Sequence, residues 1–505
     1  MASCMLFIGV FAVAMIPASA QDQLNVTSGD VVIGALFEVN VLENGACGEF
    51  SAGTLEEVLA VTWFLQSLNA RNFVPGITLG LDVSRTCSST EKAVNSAVRF
   101  LNDYNVGDIV KETPLLYGLL GPSRTEEAKA ISRLLGSLPP NKRLLQISGS
   151  ATGSELSDKT LYPNFFRVIP SDSTQVKVLH KLLLQLKWNY VAIAYNDDNY
   201  GRPLATELRS LAEETDICVP VFVSLPVDSR SILFETRASD LVNEMNSPLN
   251  GLVRGIVIIG SSFTINRLVK KLFDTVKYVN LVLGETVALQ QRNLQTTSGQ
   301  VMSVARGTLV TSPPYFPLLE FRSFWNNLWT NQTLFTEYAT RIPWLGSFYT
   351  QLTSCDPKQL ACWNSKKDII SPLIFEKASG KDVSLYTWYH LKAVAVMASL
   401  LKQEQAKRCI SSGPGLCPGL KALITDRTSL LDTLRNSNLS LQELGTEISQ
   451  FANITSLAFD INGELRINQP DNSYTVYNLQ QDGGSQYIFK QIATYTNEQL
   501  ALKTF

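Results

Sequence analysis

Short apolar runs recur along the chain and alternate with stretches whose apolar residues return every three or four positions. The runs are Val31 to Phe37, Ile77 to Val83, Leu115 to Leu120, Val191 to Tyr195, Gly255 to Ile259 and Leu281 to Leu283. Near-continuous apolar runs of this length, separated by helical patterns, predict parallel strands with helices on both faces. Between the first two runs Val58, Val61, Leu65 and Leu68 share one helical stripe, so this opening unit reads as βαβ. Glu126 to Leu138 and Asp172 to Lys187 are further amphipathic stretches; the second opens at Asp172 with Gln175 three positions on, a capping-box spacing. From Pro313 to Ser384 aromatics, prolines and two nearby cysteines cluster, and irregular excursions are expected there, with regular helices resuming near Leu385. Near the end, Phe459-Asp460-Ile461-Asn462-Gly463 followed by Tyr474 to Leu479 reads as a turn between two strands, because Asn-Gly favours hairpin geometry. There is no internal repeat and no low-complexity linker.

At 505 residues the chain is too long for one ordinary core, and two lobes is the simplest division. Hydrophobic residues make up 45% and charged residues 17%, a globular composition. A formal charge of -2 without a Lys/Arg run gives no field to hold a phosphate backbone, which argues against a nucleic-acid partner. The apolar stretch Met5 to Ile16 followed by Ala18-Ser19-Ala20 reads as a signal peptide over residues 1–20, although no basic residue precedes Arg71; a buried N-terminal strand is the competing reading. Sequons at Asn25, Asn331, Asn438 and Asn453 fit a secretory route. No later run is long enough for a membrane helix. In an oxidising compartment the seven cysteines after the leader would pair as far as geometry permits. Cys355 with Cys362 and Cys409 with Cys417 are close enough to close small loops, Cys47 and Cys87 flank a helix and a strand, and Cys218 is the odd thiol.

One stretch is specific. Ser150-Ala-Thr-Gly-Ser-Glu-Leu-Ser-Asp-Lys-Thr-Leu-Tyr-Pro163, running on through Phe166-Arg-Val-Ile-Pro-Ser-Asp172, closely resembles the lobe junction of metabotropic glutamate receptors, members of the class C G-protein-coupled receptors. Cys47-Gly-Glu49, Leu79-Gly80, Cys87 and Gly121-Pro-Ser123 precede it in register. Trp188-Asn-Tyr-Val191, Asn199-Tyr-Gly201, Ile217-Cys218, Gly415-Leu-Cys417, Phe459-Asp460 and Asn478-Leu-Gln480 follow it. The resemblance covers nearly everything from Val31 to about Phe489 and is weakest between about Gln290 and Ser384. It implies an α/β, periplasmic-binding-protein-like (type I) Venus flytrap of two lobes joined by three crossing strands. Lobe 1 would be residues 28–170 and 308–457, lobe 2 residues 171–307 and 458–490, and residues 491–505 a tail. In that family a Cys-rich segment and seven membrane helices follow, and the chain ends at Phe505 before either. Cys218 falls where family members carry a cysteine that bridges to the Cys-rich segment, with a buried free thiol as its plain alternative. The cysteine that links family dimers across lobe 1 has no match.

The resemblance also implies a ligand site. An amino acid offers a carboxylate and an ammonium a few ångström apart, so a cleft needs hydroxyls and backbone N–H groups for one and carboxylates or a ring face for the other. Ser150 and Thr152 match the segment that holds the ligand carboxylate; a Ser/Thr loop satisfying its own backbone is the plain reading. Asp172, Tyr200 and Glu285 match positions that receive the ammonium. Their plain readings are a helix cap, a core tyrosine and a solvated loop carboxylate. Where glutamate receptors bring basic side chains onto the distal carboxylate, this chain has Glu57 and Tyr386, and Glu126 lies near a position for a Ser, with Thr125 adjacent. The expected ligand is therefore a neutral or cationic amino acid or an amine, not glutamate.

Closure on such a ligand requires contacts from Tyr200 and Glu285 that form only in the closed state. Family dimers pack through lobe-1 helices, for which Glu56 to Ala70 and Glu126 to Leu138 are the candidates, unless those faces serve the intramolecular core. A secreted binding protein, acting as decoy or carrier without signalling, would have the same fold. An enzyme has little support: no His-Glu-x-x-His, Cys-x-x-Cys, Gly-x-Ser-x-Gly or phosphate-cradling loop occurs, and neither a cofactor motif nor a metal-ligand cluster is present. His180 and His390 read as structural.

Overall fold

The computed structural model describes residues 22–43, 46–106, 114–248, 253–276, 278–287, 289, 291–296, 298–366, 384–466, 473–484 and 486–503. The expected signal peptide lies outside them. The structure is α/β, as the pattern predicts. One six-stranded sheet has the order β1(Gln23–Thr27), β5(Leu79–Arg85), β2(Val31–Phe37), β6(Leu115–Leu120), β7(Leu145–Ser148), β8(Phe165–Arg167). Only β1 runs antiparallel to its neighbour. A hairpin of β3(Asn40–Glu43) and β4(Ala46–Phe50) stands apart.

The second sheet is eight-stranded, in the order β10(Cys218–Leu225), β9(Tyr190–Asn196), β11(Gly255–Ile259), β12(Asn280–Leu283), β13(Leu309–Ser312), β14(Tyr474–Gln481), β15(Tyr487–Thr496), β16(Gln499–Leu502). It is parallel as far as β13 and antiparallel from there. Strand β9 shows why these strands read as apolar runs: Ala192 and Ala194 enter one core while Val191, Ile193 and Tyr195 enter the other. Both faces are covered, so alternation brings no polar position. The chain passes from the first sheet to the second after β8, returns after β13, and passes across again before β14.

Several expectations need correction. Residues 313–384 are not irregular throughout: helices Leu319–Thr330, Gln332–Arg341 and Pro343–Thr353 occupy much of the stretch. Their aromatics form a core, with Trp325, Trp329, Phe335 and Tyr349 buried. That core lies against helix Ala52–Ala70, where Trp63 meets Phe321 at 5.6 Å and Tyr338 donates to Gln66 at 2.6 Å. Helix Ala52–Ala70 is consequently buried on almost every side and offers no free face for a dimer, whereas helix Thr125–Ser137 keeps exposed residues such as Glu126 and Arg133. The Phe459–Gly463 turn closes on itself, bridging Phe459 to Leu465, and β14 pairs with β13 and β15 instead. The expected tail, residues 491–505, contains the end of β15 and all of β16.

The disulfides are Cys47–Cys87, Cys355–Cys362 and Cys409–Cys417, the pairs the spacing suggested, and Cys218 is exposed and unpaired. All four sequon asparagines are exposed. Among the described residues no helix is long and apolar enough to cross a membrane.

Candidate functional site

The loop that leaves β7 is fixed from below. The Ser148 hydroxyl accepts the N–H groups of Ser150 and Ala151 at 3.2 and 2.9 Å, and donates to Pro122 O at 3.0 Å. Ser150 in turn donates its hydroxyl to Ser123 O at 3.2 Å. Beneath the loop the buried Arg167 guanidinium donates to the carbonyls of Thr152 and Gly153, both at 2.8 Å, while its other nitrogen pairs with Glu464. Thr125, buried at the start of its helix, accepts the Gly153 N–H at 3.1 Å. A side chain at 153 would place a Cβ 2.3 Å from the Thr125 methyl, so glycine is required there. Glu126 is exposed, which leaves Thr125 as the member of that pair facing inward.

Helix Asp172–Leu186 begins against this loop, with the Asp172 N–H donating to Thr152 O at 2.8 Å. Its cap is Ser171, whose hydroxyl accepts the Ser173 N–H, so Asp172 is the first helical residue and not the expected cap. The Asp172 carboxyl is therefore not spent on its own helix. It is 4% exposed, with Oδ1 unpartnered. Glu285, in the turn after β12, is 1% exposed and far from a solvated loop position; its Oε2 accepts the Tyr474 hydroxyl at 2.6 Å. Burial raises both carboxyls, and the charge of Glu285 pushes Asp172 further, while the Thr152 side chain acts to lower both. The Arg167 charge acts to lower both, and burial outweighs it.

Tyr200 and Tyr386 complete the cluster. Tyr200 follows β9 at the entry to helix Gly201–Glu213, and its hydroxyl donates to Gln175 at 3.3 Å. Tyr386 belongs to helix Leu385–Arg408 on the other side. Burial raises both phenols, and the charges of Glu285 and Asp172 act on each. Glu57 also acts on Tyr386. Glu57 is buried in helix Ala52–Ala70, where its Oε1 accepts the Ser384 hydroxyl at 2.9 Å. The two halves touch at the rim as well, where Lys129 pairs with Glu155 and reaches Asn199 at 3.5 Å.

Sequence reasoning missed Tyr474, Arg167 and the nearness of His390 to Glu57. Arg167 stood inside the recognised stretch, and a lone Arg amid apolar residues signals a buried ion pair. Tyr474 carries no comparable signal, since its role depends on which strand β14 joins. Among the described residues one grouping resembles a metal site, Asp22 with Cys47 and Cys87, but the cysteines form a disulfide and Asp22 pairs with Arg85 and Lys92. A groove of about 650 Å³ lies elsewhere, lined by Phe50, Ala339, Pro343 and Gly346 among others.

Comparison with known proteins fits this geometry. Residues 57–463 match the family described as the receptor family ligand binding region. The chain is 25% identical over 289 residues to the human G-protein coupled receptor family C group 6 member A, covering 53% of this chain and 30% of that protein. It is 24% identical over 366 residues to a Drosophila melanogaster metabotropic glutamate receptor, covering 66% and 34%. To the dog taste receptor type 1 member 3 it is 28% identical over 262 residues, covering 48% and 30%. The matched stretch thus spans about a third of the length of these relatives.

Proposed function

The chain belongs to the receptor family ligand binding region, as a class C G-protein-coupled receptor ectodomain, and from that premise we propose that it closes on a small amino-acid-like ligand other than glutamate. Thr152 and Ser150 receive the ligand carboxylate, and Asp172, Glu285 and the Tyr200 ring receive the ammonium. The observation that carries this reading is the buried pair Asp172 and Glu285 beside Thr152, two carboxyls whose burial outweighs the Arg167 charge that acts on both. Glu57 and Tyr386, in place of basic side chains, disfavour a distal carboxylate. Lobe 1 is taken as residues 28–170 and 308–457 and lobe 2 as 171–307 and 458–490. The exposed sequons and the disulfides support an extracellular setting, and helix Thr125–Ser137 is the remaining candidate face for a dimer. No catalytic role is assigned.

The test is a thermal-shift screen of the secreted protein against the common amino acids and biogenic amines, because a ligand that binds only the folded state raises its melting point. A saturable shift that Thr152→Ala and Tyr200→Ala abolish supports the reading. Tight binding of glutamate sinks its ligand assignment, and no shift with any compound sinks the small-molecule function itself.

A further inference from the structure

The rim of the site carries a contact between the two halves that involves none of the proposed ligand residues. Lys129 lies in helix Thr125–Ser137, between β6 and β7 of the six-stranded sheet, and Asn199 lies between β9 and helix Gly201–Glu213 of the eight-stranded one. Lys129 Nζ donates to Asn199 Oδ1 at 3.5 Å. The lysine side chain is only 13% exposed, because the same ammonium pairs with Glu155 in the turn Ser154–Ser157 that follows the ligand loop. An ammonium carries several hydrogens, so Glu155 aims the group and leaves a donor for the facing half.

The other side is held from behind as well. Asp198 Oδ1 accepts the N–H groups of Tyr200 and Gly201 at 3.0 and 2.7 Å, the Asp197 N–H donates to Leu225 O at 2.9 Å, and the Asp197 carboxylate pairs with Arg202. The turn is thus fixed within its own half, with Asn199 immediately before the Tyr200 ring. Charge is complementary across the rim: Arg124 and Lys129 stand on one side, Asp197 and Asp198 on the other, and Asp198 is among the charges that act on Arg124. Arg124 is itself drawn to Glu38 at 3.7 Å, which makes Lys129 the cation that reaches across.

We propose that Lys129 and Asn199 form a latch that holds the two halves together independently of any ligand and weakens with salt; this rests on the reading above of a two-lobed cleft that closes. A bond between the halves exists only when they are together, so it favours the closed state whether or not an amino acid is bound. Single-molecule energy transfer between dyes on the exposed Cys218 and on a cysteine introduced by Asn326→Cys, an exposed position of helix Leu319–Thr330, reads the open and closed populations without ligand. Lys129→Met keeps most of the stem and removes the charge, and the open-to-closed ratio rises about two- to fivefold, the range of an exposed charged pair. Raising salt from about 0.05 M to about 0.5 M moves the unaltered protein the same way and leaves Lys129→Met nearly unmoved. Asn199→Asp turns the acceptor into a carboxylate and shifts the population towards closed, an effect that lost packing does not produce. If Lys129→Met does not fold, Asn199→Asp decides alone. A failed amino-acid screen overturns the ligand reading without touching this measurement, whereas folded variants whose populations match the unaltered protein overturn the latch and leave the ligand reading intact.

Discussion

The Tyr474 hydroxyl donates to Glu285 Oε2 at 2.6 Å, joining the first residue of β14 to the turn after β12, two strands away across β13. This bond favours the ionised carboxyl and so opposes the burial that raises it. Tyr474→Phe removes the donor and keeps the ring. Glu285 is then protonated over a wider pH range, and affinity for an ammonium-bearing ligand falls by about tenfold, measured by calorimetry beside an unchanged far-UV spectrum.

Arg167 is the clamp under the ligand loop, holding the carbonyls of Thr152 and Gly153 and pairing with Glu464 at the return crossing. Its side chain is 1% exposed, so its loss takes one of two donors from each carbonyl and the balancing charge from Glu464, which keeps only the Ser157 hydroxyl. Arg167→Met costs about 3–5 kcal/mol of stability in urea denaturation, as expected when one partner of a buried pair is removed. Arg167→Lys keeps the charge but not the fork that holds the two carbonyls with one nitrogen and Glu464 with the other, and ligand affinity falls even where the protein remains folded.

The sheets were legible because their strands are buried on both faces: the runs at Val31, Leu115, Val191, Gly255 and Leu281 each became a strand. The helices of residues 319–353 were not, because their aromatics face a partner in sequence-distant helix Ala52–Ala70 and mask the ordinary amphipathic stripe. Asp172 shows a finer limit. Two residue types that both cap helices stand side by side, and only the backbone, extended at Ser171, decides that Ser171 caps and Asp172 is free for the site. Within the site, resemblance to a family named Thr152, Tyr200 and Glu285. It did not name Tyr474 or His390, whose positions depend on how separate segments pack.

Gly153 and Thr125 form a close contact that can be tested as a pair. A Cβ at 153 meets the Thr125 methyl at 2.3 Å, while the Thr125 hydroxyl accepts the Gly153 N–H. Gly153→Ala costs about 1–3 kcal/mol by overpacking. Thr125→Ser keeps the hydroxyl and deletes the methyl, so the double variant recovers most of that loss, and a double-mutant cycle in thermal or urea unfolding measures the coupling. Additive effects of the two changes would show that the clash is relieved elsewhere.

Glu57 and His390 titrate in opposite senses and can be separated by pH. Glu57 is raised from 4.5 to about 8, so the folded state holds its proton where the unfolded chain has lost it. Its contribution to stability is full below the unfolded value and is lost as pH rises through about 8. His390 is lowered from 6.5 to about 4, so its neutral form is favoured by folding, and its contribution is full above 6.5 and lost as pH falls through about 4. Glu57→Gln removes only the first dependence, because Gln can still accept from Ser384. The melting point of the variant relative to the unaltered protein therefore rises steadily between pH 4.5 and about 8, and levels off beyond. A difference that stays flat across this window would mean that Glu57 is ionised in the folded protein.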